Sequence, residues 1–131
     1  MQTRQPQYKT KEVTDNKGIV STVYEIGGNF MSLQEVNRNK AFTTRSLLKM
    51  ADSLNKNPND NKMTQRFQSE YNFLQELIGR PSDKITVDGL LGKQTQRSVM
   101  NVRRIADSMS SDRVFENLKR RDRIKLNMDK K

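Results

Sequence analysis

The chain has 131 residues, of which 32% are hydrophobic, with a mean hydropathy of −0.95, so one modest core is possible and the apolar side chains must be concentrated in part of the sequence. Lys and Arg number 25 against 15 Asp and Glu, giving a formal net charge of +10 that attracts polyanions without choosing among nucleic acid, wall polymer or an acidic protein. The absence of Cys and His excludes disulfides, thiolate or imidazole metal sites and His-dependent nucleophiles, and the absence of Trp leaves little for stacking on single-stranded nucleic acid.

Residues 1–9 read as a polar lead. Thr10–Thr14 and Ile19–Ile26 read as the strands of a hairpin, with Val20, Thr22, Tyr24 and Ile26 on one face by alternation. Asp15-Asn16-Lys17-Gly18 is the turn, and Gly27-Gly28-Asn29 is expected to end the sheet. Ser32 and Glu35 have capping-box spacing and predict a short helix to about Asn39. A second helix is expected over about Thr44–Leu54, on the stripe Leu47, Leu48, Ala51 and Leu54. The Asn-rich run from Asn55 to Asn61, with Pro58, reads as a linker and the main boundary. A third helix follows over about Lys62–Ile78, stopped by Gly79 and Pro81. Residues 80–92 are a loop with an apolar patch at Ile85 and Val87, and a fourth helix spans about Lys93–Met109. Beyond it, 112–122 reads as a last helix and Ile124–Met128 alternates like a strand.

The expected fold is mainly α: a small helical bundle with an N-terminal β-hairpin and a basic C-terminal arm. The divisions are 1–30 for the arm and hairpin, 31–61 for a helical segment and linker, 62–109 for a helical module, and 110–131 for the basic arm. The N-terminus lacks the apolar stretch of a secretory signal, and no run suits a membrane span. The expected site of synthesis is the cytoplasm.

The most specific stretch is Asp88-Gly89-Leu90-Leu91-Gly92, followed by Thr95, with Leu74-Gln75 upstream and Val99 and Val102 continuing an apolar face. Over about residues 63–106 this resembles the peptidoglycan-binding domain family, a three-helix module with a Leu-Gln pair, a loop, then Asp-Gly, two apolar residues, Gly and Thr. Each position also has a local physical reading. Asp88 can accept amides of its own turn, Gly89 and Gly92 suit special backbone conformations, Leu90 and Leu91 are expected to bury the loop, and the Thr95 hydroxyl can satisfy backbone groups at a helix start. The motif on this reading encodes a helix, a locked loop and a helix. The resemblance implies a module that holds a partner near the wall polymer and does no chemistry itself. The chain departs from the family in a short loop lacking its aromatic and in Val102-Arg103 where Phe-Gln is common.

Paired carboxylates could cleave a glycoside. Glu35, Glu70, Glu76 and Asp88 are the candidates, but Glu70 and Glu76 lie on different faces of one helix and Glu35 suits a cap. Gly27-Gly28 lacks the Gly-Lys-Ser/Thr of a phosphate loop. No enzyme, cofactor or metal is therefore expected. From Arg113 to Lys131 there are eight basic and three acidic residues, and Lys119, Arg120, Arg121, Arg123 and Lys125 form a cluster able to meet a polyanion. Interspersed Val114, Phe115 and Leu118 point instead to docking on protein. A wall-binding-like module without a secretory signal, rich in Asn and Lys, suits a bacteriophage virion or tail component. The expected partners are other proteins of an assembly, peptidoglycan, or nucleic acid.

Overall fold

The computed structural model of the chain describes residues 6–109. The predicted helix at 112–122, the strand at 124–128 and the basic cluster from Lys119 to Lys125 lie outside the described residues. Among those described, the protein is mainly helical, with a three-stranded antiparallel sheet at its N-terminal end. The strands are β1 (Lys9–Thr14), β2 (Val20–Ile26) and β3 (Asn29–Met31), in the order β1-β2-β3. The helices are α1 (Leu33–Lys56), α2 (Asn61–Leu77) and α3 (Lys93–Ser108), with a 3-10 turn at Pro81–Asp83.

The hairpin turn forms as its sequence predicts. Asp15 Oδ1 accepts the amides of Lys17 (2.8 Å) and Ile19 (2.9 Å), and Gly18 takes a φ of +80°. Gly27 and Gly28, expected to end the sheet, instead form a second two-residue turn, both at positive φ, which brings Asn29 opposite Ile26. The resulting β3 has three residues, too few for alternation to reveal.

Only the base of the sheet is seated. Ile26 packs with Val36 and Leu77, flanked by Tyr8, Tyr24, Met31 and Phe73. β1 is exposed along its whole length, and Val13, Ile19 and Val20 at the far end are exposed. A lone hairpin is marginal in water, so the seated base is what holds this projecting arm. The segment before β1 crosses the end of α2. Gln7 donates its amide to Gly79 O at 2.7 Å, and the Tyr8 hydroxyl donates to Leu77 O at 2.8 Å.

The two helices expected within 32–54 are one helix of 24 residues. Its start follows the capping box: Glu35 N donates to Ser32 Oγ at 3.1 Å, and Ser32 N to Glu35 Oε1 at 3.2 Å. Asn39, Thr43 and Thr44, at the break expected near residues 40–43, are weak helix formers. In the fold Ala41, Thr43 and Thr44 are buried, and this packing outweighs their low propensity.

The predicted linker is also shorter. Asn55 and Lys56 continue α1 and Asn61 opens α2, leaving a tight turn over residues 57–60. Asp60 caps α2 by accepting Met63 N at 3.0 Å. Leu47, Met50, Ala51 and Leu54 of α1 pack with Phe67, Tyr71 and Leu74 of α2 and Val102 of α3. The turn at residues 57–60 thus separates two helices of one core. Full burial of each of the Leu, Met, Phe and Val side chains contributes about 1.5–3 kcal/mol.

Candidate functional site

The loop between α2 and α3 has no regular structure beyond its 3-10 turn, yet it is held along its length by a polar row on α2. Gln68, Asn72 and Glu76 recur every four residues and so share one helix face. Glu76 pairs with Lys84 at 2.6 Å. The Asn72 amide makes a two-way pair with Ile85, accepting its N–H at 2.7 Å and donating to its carbonyl at 2.9 Å. Gln68 holds the far end of the loop.

Gln68 is wholly buried and makes the densest set of contacts in the loop. Its Oε1 accepts the amides of Asp88 (3.0 Å) and Gly89 (2.9 Å). Its Nε2 donates toward Asp88 Oδ1 (2.9 Å), Thr95 Oγ1 (2.9 Å) and Leu90 O (3.2 Å), so two hydrogens serve three acceptors. Asp88 Oδ1 also accepts Leu90 N at 2.9 Å, the Asx-type lock its position predicts. The Leu90 amide first, then the Gln68 side chain, hold the Asp88 carboxyl below the ordinary carboxylate range. Thr95, buried in the first turn of α3, returns its hydroxyl to Leu90 O at 3.3 Å.

The structure brings Asp88, Gly89, Leu90 and Thr95 together around Gln68. It does not bring Leu74-Gln75 there. Leu74 lies in the core beside Phe67 and Tyr71, and Gln75 is wholly buried with neither Nε2 nor Oε1 partnered. The glutamine that meets the motif is Gln68, seven residues earlier and likewise preceded by an apolar residue, Phe67. Sequence reading missed it because one Gln within a helix resembles any solvated position. The four-residue recurrence of Gln68, Asn72 and Glu76 is the signal that could have found it.

Two roles expected within the motif are corrected. Leu90 does not bury the loop: its side chain is 61% exposed, while Leu91 alone packs on the main core. The carbonyl and amide of Leu90 are tied inward, and its side chain turns out as a result. Gly92 has an ordinary extended backbone at φ −85° and open space where a Cβ would stand, so nothing local requires glycine there. Gly89 does require it, with φ +73° and a Cβ position 3.2 Å from Asn61 O at the start of α2.

The expected carboxylate candidates are spread apart in role. Glu35 caps α1, Glu76 pairs with Lys84, and Asp88 is tied to the corner. Among the described residues no group of three or more His, Cys, Asp or Glu could hold a metal ion, and no helix is long and apolar enough to cross a membrane.

Beside the corner, a groove of about 620 Å³ runs between the Pro81–Asp83 turn and α3, lined by Tyr71, Lys84, Arg97, Asn101 and Arg104 among others. Asn101 donates its side-chain amide to the Tyr71 hydroxyl at 2.7 Å across the groove floor. Compared with protein-family models, with curated proteins and with solved structures, the chain matches none.

Proposed function

We propose that the chain is a non-catalytic binding module that contacts the bacterial cell wall as part of a bacteriophage virion or tail. The observation that carries this reading is the corner at Gln68, where one side chain fixes Asp88, Gly89, Leu90 and Thr95. These are positions by which the sequence resembles the peptidoglycan-binding family. A fixed corner between α2 and α3 gives the groove beside it a defined shape, and a binding module needs such preorganisation. The lack of His and Cys in the sequence supports a role without chemistry.

Co-sedimentation of the full chain with purified peptidoglycan tests the proposal. The chain is expected in the pellet and is expected to stay there in moderate salt. Its recovery in the supernatant, or its release by salt as from any polyanion, contradicts wall recognition.

A second reading, a structural protein that keeps this fold and binds other assembly proteins, is favoured by the projecting hairpin. Its exposed Val13, Ile19 and Val20 offer apolar contact at the end of a seated arm. Under that reading the wall pellet contains none of the chain, and charged substitutions at the three residues abolish a defined complex.

A further inference from the structure

We infer that the face of α3 turned toward the Pro81–Asp83 turn is a docking trough for an extended acidic peptide segment of a protein partner. Beside the groove already described lies a second of about 580 Å³ between α1, the end of α2 and the end of α3, and Asn101 and Arg104 line both. Among the described residues, the charged ones lining the pair are Lys40, Arg80, Lys84, Arg97 and Arg104, with Asp83 the single acid, five positive against one negative. Glu76 pairs with Lys84. The lining also includes Ile78, Ile85, Met100, Ile105 and Met109, so apolar surface lies between the cations.

That combination selects among anions. A nucleic-acid strand would want exposed aromatic faces for its bases. Among the described residues the one aromatic side chain lining the trough is Tyr71, 4% exposed and stacked against Phe67 in the core. What Tyr71 offers the trough is its hydroxyl, which accepts from Asn101 and whose own hydrogen can be given to an acceptor in the trough. A carboxylate supplies such an acceptor, and the alkyl groups of a peptide cover the apolar floor. The chain's own basic arm is a poor occupant, because residues 113–131 carry the same sign of charge as the trough.

The spacing fits as well. Arg97 and Arg104 are two helical turns apart, about 10 Å along α3. In a polyproline-type strand every third side chain returns to one side at about 9 Å. Acidic residues three apart on such a segment match the two guanidinium groups, each able to take a carboxylate with two parallel hydrogen bonds.

The test is fluorescence anisotropy of the full chain with a fluorescein-labelled peptide of three Glu-Ala-Pro repeats. Binding is expected, and the same peptide with Gln for Glu is expected not to bind. The Arg97→Glu, Arg104→Glu double variant should weaken binding about tenfold or more, while Arg103→Glu, which lines a different pocket, should leave it within about twofold. Tyr71→Phe, with folding checked by thermal melting, should weaken binding by a few fold. Equal loss from Arg103→Glu, or equal binding of the Gln peptide, overturns the proposal. So does tighter, Arg97- and Arg104-dependent binding of an oligothymidylate, or displacement of the peptide by soluble wall fragments at equal carboxylate concentration. Failure of the wall pellet assay counts against the wall reading alone, and failure of the Glu peptide to bind counts against this proposal alone.

Discussion

Gln68→Leu is expected to destabilise the protein by about 3 kcal/mol, while Gln75→Leu, seven residues later on the same helix, is expected to stabilise it by about 1 kcal/mol. The residues are chemically identical and equally buried, and differ only in partners. Leu at position 68 would leave the Asp88 and Gly89 amides without their acceptor and Thr95 without its donor, in a place where Gly89 and Thr95 are buried. Each buried group stranded in this way costs about 1–3 kcal/mol. Leu at position 75 would remove an amide that already lacks partners, so an existing penalty disappears. Thermal melting reads both, with a drop of roughly 10–20 °C for Gln68→Leu and a rise of a few degrees for Gln75→Leu. Gln65→Leu, exposed on α2, should stay within about 0.5 kcal/mol of the parent. The acid limb provides a second reading. Asp88 has a lowered pKa in the fold, so its contacts add stability above the unfolded carboxylate pKa and lose it as pH falls through the folded value. Removing Gln68 takes away the second of the two main causes and should flatten that limb without erasing it. A Gln68→Leu variant as stable as the parent would mean that the corner is held by something else.

Gly79→Ala is expected to cost a similar amount for a different reason. Gly79 ends α2 at φ +76°, where an L-residue pays about 1–2 kcal/mol. An added Cβ would also stand 2.8 Å from Pro6 Cβ, 2.9 Å from the Gln7 backbone nitrogen and 2.9 Å from Tyr8 Cζ. Those contacts are the crossing that seats the sheet, because Tyr8 donates to Leu77 O and meets Tyr24 edge to face at 5.3 Å. The Gln7 nitrogen is backbone and cannot swing aside, so the crossing segment must move. The expected loss is about 3 kcal/mol in total, together with a weakened near-ultraviolet circular dichroism signal from the tyrosines. Gly28→Ala is the matched control, with a φ of +84° and open space at its Cβ position. It should show the backbone strain alone, about 1 kcal/mol. Equal losses from the two variants would mean that the crossing adds nothing.

The parts of the fold legible in the sequence are those written locally. Asp15 and Gly18 declare the hairpin turn, Ser32 and Glu35 the start of α1, and Gly79 the end of α2, and each does so through contacts within a few residues. The continuity of α1 was not legible, because the burial of Ala41, Thr43 and Thr44 belongs to the tertiary fold. For the candidate site, Asp88, Gly89 and Thr95 were legible as a locked corner, since the Asx turn and the positive φ are local. Gln68 was not, because its partners lie 20 to 27 positions away. Leu90 misled for a related reason. Its apolar character argues for burial, but the tethering of its own backbone points the side chain outward. The trough was illegible for want of any motif, since its cations come from three separated stretches of chain.

The wall-binding reading and the trough depend on a loop that is rigid without being regular, and amide hydrogen exchange measured by NMR tests that directly. The amides of Ile85, Asp88, Gly89 and Leu90 each donate to a side chain, those of Asn72, Gln68, Gln68 and Asp88 in turn. They should be protected to nearly the degree of α2 itself, and Gln68→Leu should expose those of Asp88 and Gly89 first. Exchange of all four at the rate of an unstructured peptide would contradict a fixed corner.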